Sequence, residues 1–220
     1  MNTFGWKIQH DNIDITPVTL IENAISKQKC AEISEQILEY KEKHYNEEGF
    51  GEDNNPGCWR GFPHLEQDDT KGLSAENKQL IFDTIMEAFR VYKQSWQIPQ
   101  FLRTTSWQKN MFDEEQIDIS AWANINDKGA GNVVHAHAGA VASGCLYFQS
   151  SDTGPIEFYN NNYLQGYSHP TWPYNGTMRY YPNEGDILMF PSFLLHAVEA
   201  NPVEKQRINM AFNYQYMPKQ

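Results

Sequence analysis

No stretch of this chain comes near the ~18 consecutive apolar residues that a membrane-spanning helix needs. Residues 1–14, MNTFGWKIQHDNID, offer neither a basic start nor an apolar run, so neither membrane insertion nor an export signal is expected. Cysteine is scarce. Cys30, Cys58 and Cys145 are odd in number and none stands in a C-x-x-C pair, which argues against a cysteine zinc site or a dithiol redox motif. Free thiols in a reducing compartment, the cytoplasm, fit best. Positive charge is short as well: 17 lysines and arginines face 28 aspartates and glutamates, a net charge of −11. The field around such a protein opposes nucleic acid as a partner unless a local basic patch overrides it.

What is present is enough for a packed core. Hydrophobic residues make up 40% of the 220 positions and aromatics 14%, which suits one domain over residues 1–220. Residues 13–21, IDITPVTLI, alternate as a first strand would, with Pro17 suggesting a sheet edge. A helix is predicted from about Ser26 to Tyr45, with Cys30, Ile33, Ile37 and Tyr40 on one face. Ser74 is a plausible N-cap for a second helix, whose Ile81, Ile85, Phe89, Tyr92 and Trp96 recur at helical spacing and read as core. Residues 47–72 between the helices, rich in Gly, Asn, Asp and aromatics without a period, read as a long loop.

The chemistry concentrates in the second half. His135 and His137 flank Ala136, and in an extended segment side chains at i and i+2 leave the same face, so both imidazoles can enter one cavity. The apolar run Ile187–Phe190 reads as a buried strand that continues through Pro191 and Ser192 to deliver His196 to the same place. Three neutral imidazoles suit a borderline divalent metal such as Fe(II), Zn(II), Ni(II) or Cu(II). Arg207, a short way beyond, can anchor an anionic co-substrate beside that metal. A lone histidine such as His10, His44 or His64 carries no such message. Trp122 and Asn124 share a face just before the histidines and could line the cavity, although Trp122 could equally be core.

Taken together, residues 121–160, 185–198 and 207–214 (AWANINDKGAGNVVHAHAG through EFYN, GDILMFPSFLLHAV and RINMAFNY) resemble the Fe(II)/2-oxoglutarate-dependent oxygenases of the prolyl-hydroxylase-like superfamily, in particular a branch found in marine bacteria and phages. The resemblance implies a mainly β fold with flanking helices, a double-stranded β-helix or cupin-like jelly roll. Residues 111–220 would form its metal-binding core, and 1–110 would supply helices, loops and early strands. It implies Fe(II) held by His135 and His196, with His137 at the position where most members carry Asp or Glu. It further implies 2-oxoglutarate held by Arg207, with Tyr147 hydrogen-bonding the same co-substrate and Asn209 in place of an assisting serine. O2 would complete the reactants, and the outcome would be hydroxylation of a protein side chain or a small metabolite, in the host cytoplasm if the gene is phage-borne. A histidine in place of a carboxylate makes the metal complex one unit more positive, which raises the relative appeal of Zn(II) or Ni(II). Either His137 ligates, as its face favours, or water or substrate takes that position.

Two other classes fit the same residues. One is a three-histidine dioxygenase that works without 2-oxoglutarate and uses Arg207 for its own anionic substrate. The other is a non-catalytic jelly-roll module with a closed metal site or none. Between the metal motifs lies Tyr159–Pro182, where Tyr159, Tyr163, Tyr167, Trp172, Tyr174, Tyr180 and Tyr181 mix with amides and glycines. It reads either as a substrate lid near the cavity mouth or as a loop pinned to the sheet by its aromatics.

Overall fold

The computed structural model describes residues 7–13, 16–44, 57–61, 72–95, 114–159 and 177–217. The strands are β1 (Lys7–Ile13), β2 (Thr16–Glu22), β3 (Cys58–Gly61), β4 (Ile117–Asn126), β5 (Asn132–His135), β6 (Ala140–Gln149), β7 (Ile156–Tyr159), β8 (Thr177–Tyr180), β9 (Ile187–Pro191), β10 (His196–Val198) and β11 (Arg207–Tyr216). They form two antiparallel sheets, a larger one in the order β1-β2-β9-β6-β11-β4-β3 and a smaller one in the order β5-β10-β7-β8. From β4 onward the chain passes back and forth between the sheets, which is the winding of a double-stranded β-helix.

Period-two alternation decides what each strand of the larger sheet does. On β11, Ile208, Met210, Phe212 and Tyr214 join one apolar cluster, while Arg207, Asn209 and Ala211 face the opposite way into a cavity. On β9, Ile187 and Met189 belong to the first cluster, and Leu188 and Phe190 to a second one between the sheets with Tyr147 and Phe158. Strands buried on both faces read as continuous apolar runs, which is why residues 187–190 carry no polar alternation.

The helices cover the outer face. α1 (Lys27–His44) starts where Ser26 Oγ accepts from Lys29 N at 3.3 Å, and α2 (Ala75–Ser95) where Ser74 Oγ accepts from Asn77 N at 3.2 Å. Cys30, Ile33, Ile37 and Tyr40 are buried on α1, and Ile81, Ile85, Phe89 and Tyr92 on α2, all within the first cluster. Trp96 lies outside the described residues. The Phe89 ring stacks on Tyr214 with centroids 4.4 Å apart, and the Tyr214 hydroxyl donates to Ile85 O at 2.5 Å, fastening α2 to β11. Gly185, at φ +90°, lets the chain into β9 pass under α1: its carbonyl accepts from Ala24 N at 2.7 Å, and a Cβ there would meet Ile25 O at 2.1 Å.

Two expectations are corrected. The strand expected at 13–21 is β2, beginning at Thr16, and it is second in the sheet because β1 pairs along its outer side. Pro17 is tolerated there because pairing to β9 begins only at Thr19, so the missing N–H interrupts no ladder on that side. The segment read as loop, 47–72, contains β3, which pairs with β4 from Cys58↔Asn126 to Gly61↔Ala123 and closes the far edge of the sheet. Four residues are too few for periodicity to register against neighbouring turn signals. Among the described residues no helix is long and apolar enough to cross a membrane.

The packing of α2 on β11 gives a direct expectation. Phe89→Ala should lower the unfolding free energy by about 3–5 kcal/mol, read from a urea denaturation curve, while divalent-metal stoichiometry stays that of wild type. A loss under 1 kcal/mol would mean that α2 does not hold the sheet.

Candidate metal centre

His135 ends β5, and His196 opens β10 directly across the ladder as its registered partner. His137 follows the end of β5, so regular strand geometry does not place it. Its backbone N–H donates to Ser192 O at 2.8 Å in the turn between β9 and β10, and that bond holds it beside the other two. The ring centroids of His135 lie 5.2 Å from His137 and 4.3 Å from His196. One ligand atom from each of the three lies within 4.8 Å of the others.

Hydrogen bonding sets the tautomers. His135 Nδ1 lies 2.7 Å from Val133 O, and His196 Nδ1 2.9 Å from Leu194 O. A carbonyl only accepts, so Nδ1 carries the proton in both and Nε2 presents its lone pair to the cavity. The Nε2 atoms of His137 and His196 are 3.2 Å apart: without a metal the Nε2–H tautomer of His137 donates to His196, and with one both lone pairs are free to turn to the ion. Burial is the main cause that lowers the basicity of all three, with His137 reduced to about 4 and His196 to about 3; His135 adds repulsion to both, and Arg60 to His135 and His137. The set is therefore neutral at physiological pH. Neutral imidazoles at this spacing fit a borderline divalent metal, and the donor chemistry accepts Fe(II), Ni(II) or Zn(II) alike.

Arg207 opens β11 on the same cavity and is 1% exposed. Its Nε donates to Thr153 Oγ1 at 3.1 Å, and Nη2 donates to the carbonyls of Thr153 and, at 2.7 Å, of Gly154. Gly154 has φ +89° and a Cβ there would lie 3.2 Å from Nη2, so glycine permits the approach. Among the described residues nothing accepts from the buried Nη1 and no carboxylate forms an ion pair with Arg207. Glu204, a possible surface partner in the sequence, pairs instead with Lys128 at 2.7 Å. A buried guanidinium without a counter-charge is costly, and a carboxylate entering the cavity would meet the need.

The cavity between histidines and arginine measures about 560 Å³ out to its mouth. Trp122, Asn124, Tyr147 and Asn209 line it, as do the apolar Ile156, Phe190 and Val198. Trp122 is not core: its ring stacks near-parallel on His137 at 5.8 Å. Asn124 Nδ2 donates to Asn209 Oδ1 at 3.1 Å across β4 and β11, and Tyr147 is buried at 3% exposure. Trp172 lies outside the described residues, together with Tyr163, Tyr167 and Tyr174. The described ends of that aromatic segment are pinned: Tyr180 packs edge-on to Phe158 at 5.7 Å, and the Tyr159 hydroxyl donates to Glu157 at 2.8 Å.

Three contributors escaped the sequence reading. Thr153 and Gly154 orient Arg207, and their only trace is a turn-like SDTGP. Arg60 of β3 also lines the cavity, its guanidinium 5.6 Å over the Trp122 ring. Finding it required knowing that CWRG is a strand.

The fold is a double-stranded β-helix in which three histidines that could hold a metal ion share a cavity with a buried arginine. Residues 120–213, which carry all three histidines and Arg207, match a family model described as "Putative 2OG-Fe(II) oxygenase". No curated protein matches the sequence. Among solved structures, a prolyl-4-hydroxylase from Pseudomonas putida is similar at TM-score 0.58 and 13% identity, over 98% of this chain and 95% of that one. HygX from Streptomyces hygroscopicus, solved with nickel and 2-oxoglutarate bound, gives TM-score 0.54 at 10% identity, over 92% of this chain and 84% of that one. A Trichoplax adhaerens prolyl hydroxylase, solved with a hypoxia-inducible-factor peptide, gives 0.57 at 13%, over 98% and 85%. At such identities these likenesses speak for the fold.

The neutral histidines carry a pH consequence. Unfolded imidazoles protonate near pH 6.5, native His137 and His196 only at about 4 and about 3. The metal-free protein should thus hold its full stability above pH 7 and lose it as pH falls below 6.5, by up to about 1.4 kcal/mol per pH unit for each group. Chemical denaturation of the metal-free protein at pH 7.5, 6.0 and 5.0 measures this, and a flat profile would contradict buried neutral rings.

Proposed function

We propose that the protein is a non-haem Fe(II)- and 2-oxoglutarate-dependent dioxygenase that hydroxylates a C–H bond of a protein side chain or small metabolite, in the cytoplasm. The observation that carries this reading is the buried Nη1 of Arg207, which shares one cavity with three histidines, two of them, His135 and His196, in tautomers that present Nε2. HygX supplies a parallel of fold only, although it was solved with nickel and 2-oxoglutarate bound.

Bound iron would supply the O2 chemistry that converts 2-oxoglutarate to succinate and CO2. The protein's own part is binding and orientation. His135, His137 and His196 hold the metal, the first and last kept in register by the carbonyls of Val133 and Leu194. Arg207, fixed through Nε and Nη2, presents Nη1 to the far carboxylate of the co-substrate, where a planar guanidinium in a dry pocket outperforms an ammonium. Tyr147, which lines the cavity, would donate its phenolic hydrogen to the same carboxylate, with the amide groups of the Asn124–Asn209 pair in the same lining. Ile156, Phe190 and Val198 exclude water around the co-substrate's apolar stem.

A second reading has its own observation: no Asp or Glu lines the cavity among the described residues. A three-histidine dioxygenase would use that neutral donor set without 2-oxoglutarate and would bind its own anionic substrate at Arg207. Succinate release separates the two.

The deciding experiment is anaerobic titration of metal-free protein with Fe(II) and then 2-oxoglutarate, watched for the visible charge-transfer band of a chelated complex. Wild type should show the band, His196→Ala should lose it along with bound metal, and Arg207→Lys should raise the co-substrate's apparent KM at least about tenfold, the equivalent of ~1.4 kcal/mol. Bound metal without a band would overturn the 2-oxoglutarate reading; unchanged metal content in His196→Ala would overturn the ligand assignment.

A further inference from the structure

His135 and His196 take their orientation from the backbone, each ring donating to the carbonyl two residues before it. His137 has no such support: among the described residues no backbone group accepts from its ring. It lies between Trp122, near-parallel at 5.8 Å, and Phe190, edge-on at 6.5 Å, neither of which offers an acceptor oxygen. Its hydrogen-bonding neighbours are Nε2 of His196, 3.2 Å from its own Nε2, and the side chain of Asn213.

Asn213 belongs to the same alternate set on β11 as Arg207, Asn209 and Ala211, which line the cavity. Its registered partner on β6 is the fully buried Ser143, whose hydroxyl donates to Asn213 Oδ1 at 2.7 Å. That bond fixes the amide and identifies Oδ1 as an accepting atom. A carbonyl oxygen has two lone pairs, so one remains after Ser143 is served.

The two partners of His137 make opposite demands. His196 keeps its proton on Nδ1, so its Nε2 only accepts and calls for a hydrogen on His137 Nε2. Asn213 Oδ1 also only accepts, and calls for a hydrogen on the other ring nitrogen, Nδ1. A neutral imidazole carries a single N–H, so one demand goes unmet in the metal-free protein. A divalent ion removes the conflict, since it takes the Nε2 lone pairs of both rings and the His137 hydrogen then belongs on Nδ1.

We infer that Asn213, held by Ser143, is the positioning residue that makes His137 a metal ligand, accepting its Nδ1–H as the carbonyls of Val133 and Leu194 do for the other two histidines. The inference deepens the proposed function and rests on its metal site, not on 2-oxoglutarate. Metal-ligating histidines hold their second N–H on such an acceptor, and loss of the acceptor costs about 10–100-fold in metal affinity. Metal binding moves the hydrogen of His137 from Nε2 to Nδ1 and leaves the ring neutral. β11 thereby serves both ends of the site, with Arg207 for the anion and Asn213 for the third imidazole.

The test uses full-length protein labelled with 15N-histidine, at neutral pH, metal-free and loaded with diamagnetic Zn(II). Long-range 1H–15N spectra, with the His137 signals identified by their loss in His137→Gln, should show the Nε2–H form without metal and the Nδ1–H form with it. Asn213→Ala should lower Zn(II) affinity about 10–100-fold in competition with a chromophoric chelator. Asn213→Asp, which keeps the acceptor and adds charge, should bind at least as tightly as wild type, an outcome that a merely structural role would not give. His137 remaining Nε2–H in the Zn(II) form, or Asn213→Ala binding Zn(II) as tightly as wild type, overturns the inference. Should Asn213→Ala not fold, Asn213→Asp decides: the His137 Nδ1–H resonance must move downfield against the charged acceptor, and an unmoved resonance overturns the inference. Wild type that takes up no Zn(II) overturns the metal reading together with this one, whereas a missing charge-transfer band with 2-oxoglutarate overturns the proposed function and leaves the role of Asn213 standing.

Discussion

β11 is hydrogen-bonded along both edges, to β4 and to β6, and is buried on both faces. That double constraint organises the rest of the molecule. One set of alternate side chains must be apolar to receive α2, and Tyr214 does so through both its ring and its hydroxyl. The other set must face the interior between the sheets, where a polar side chain is tolerated only with a partner. Asn209 finds one in Asn124, and Arg207 finds several in the 153–154 turn. A one-residue slip of β11 would carry Arg207 into the apolar cluster and Ile208 into the cavity. Register, fixed by 18 residue pairings to two neighbours, is therefore what makes the pocket.

Within the smaller sheet the same logic operates with less redundancy. β5 and β10 are short, and their pairing brings His135 and His196 face to face. The carbonyls two residues before each ring, Val133 O and Leu194 O, take the Nδ1 protons, so backbone geometry alone orients both Nε2 atoms. His137 differs. It sits past the strand and depends on the Ser192 carbonyl, which ties its loop to the turn that leads into His196. The His137 position is thus held by loop contacts, and a substitution there disturbs no ladder.

Much of this was legible beforehand, for reasons that differ by element. The helical stripes Cys30–Ile33–Ile37–Tyr40 and Ile81–Ile85–Phe89–Tyr92 are long enough for periodicity to speak, and both are buried as expected. The histidines and Arg207 were legible because few residue types serve their chemistry and the apolar run at 187–190 pointed to a buried strand. β3 was not legible, since four residues flanked by Gly, Asn and Pro give no period, and Arg60 was hidden with it. The partners of Arg207 were hidden for another reason. Thr153 and Gly154 act mainly through backbone carbonyls, and a carbonyl's direction depends on φ and ψ more than on residue identity; only Gly154, at φ +89°, leaves a sequence trace.

The electrostatics of the cavity follow from having three imidazoles and no carboxylate in the one described cluster that could hold a metal ion. With a carboxylate among the ligands, part of a divalent ion's charge is balanced inside the site. Among the described lining no acid stands beside the imidazoles and Arg207, so an anion that enters meets the buried guanidinium without a competing carboxylate there. Burial keeps the Arg207 charge from being dissipated in water, since a charge in a low-dielectric wall is screened far less than one in solvent. The acidic exterior, at net −11, repels anions at long range, but this field is screened within about 8 Å at physiological ionic strength. Capture of anions is therefore decided at the cavity mouth, by geometry more than by steering.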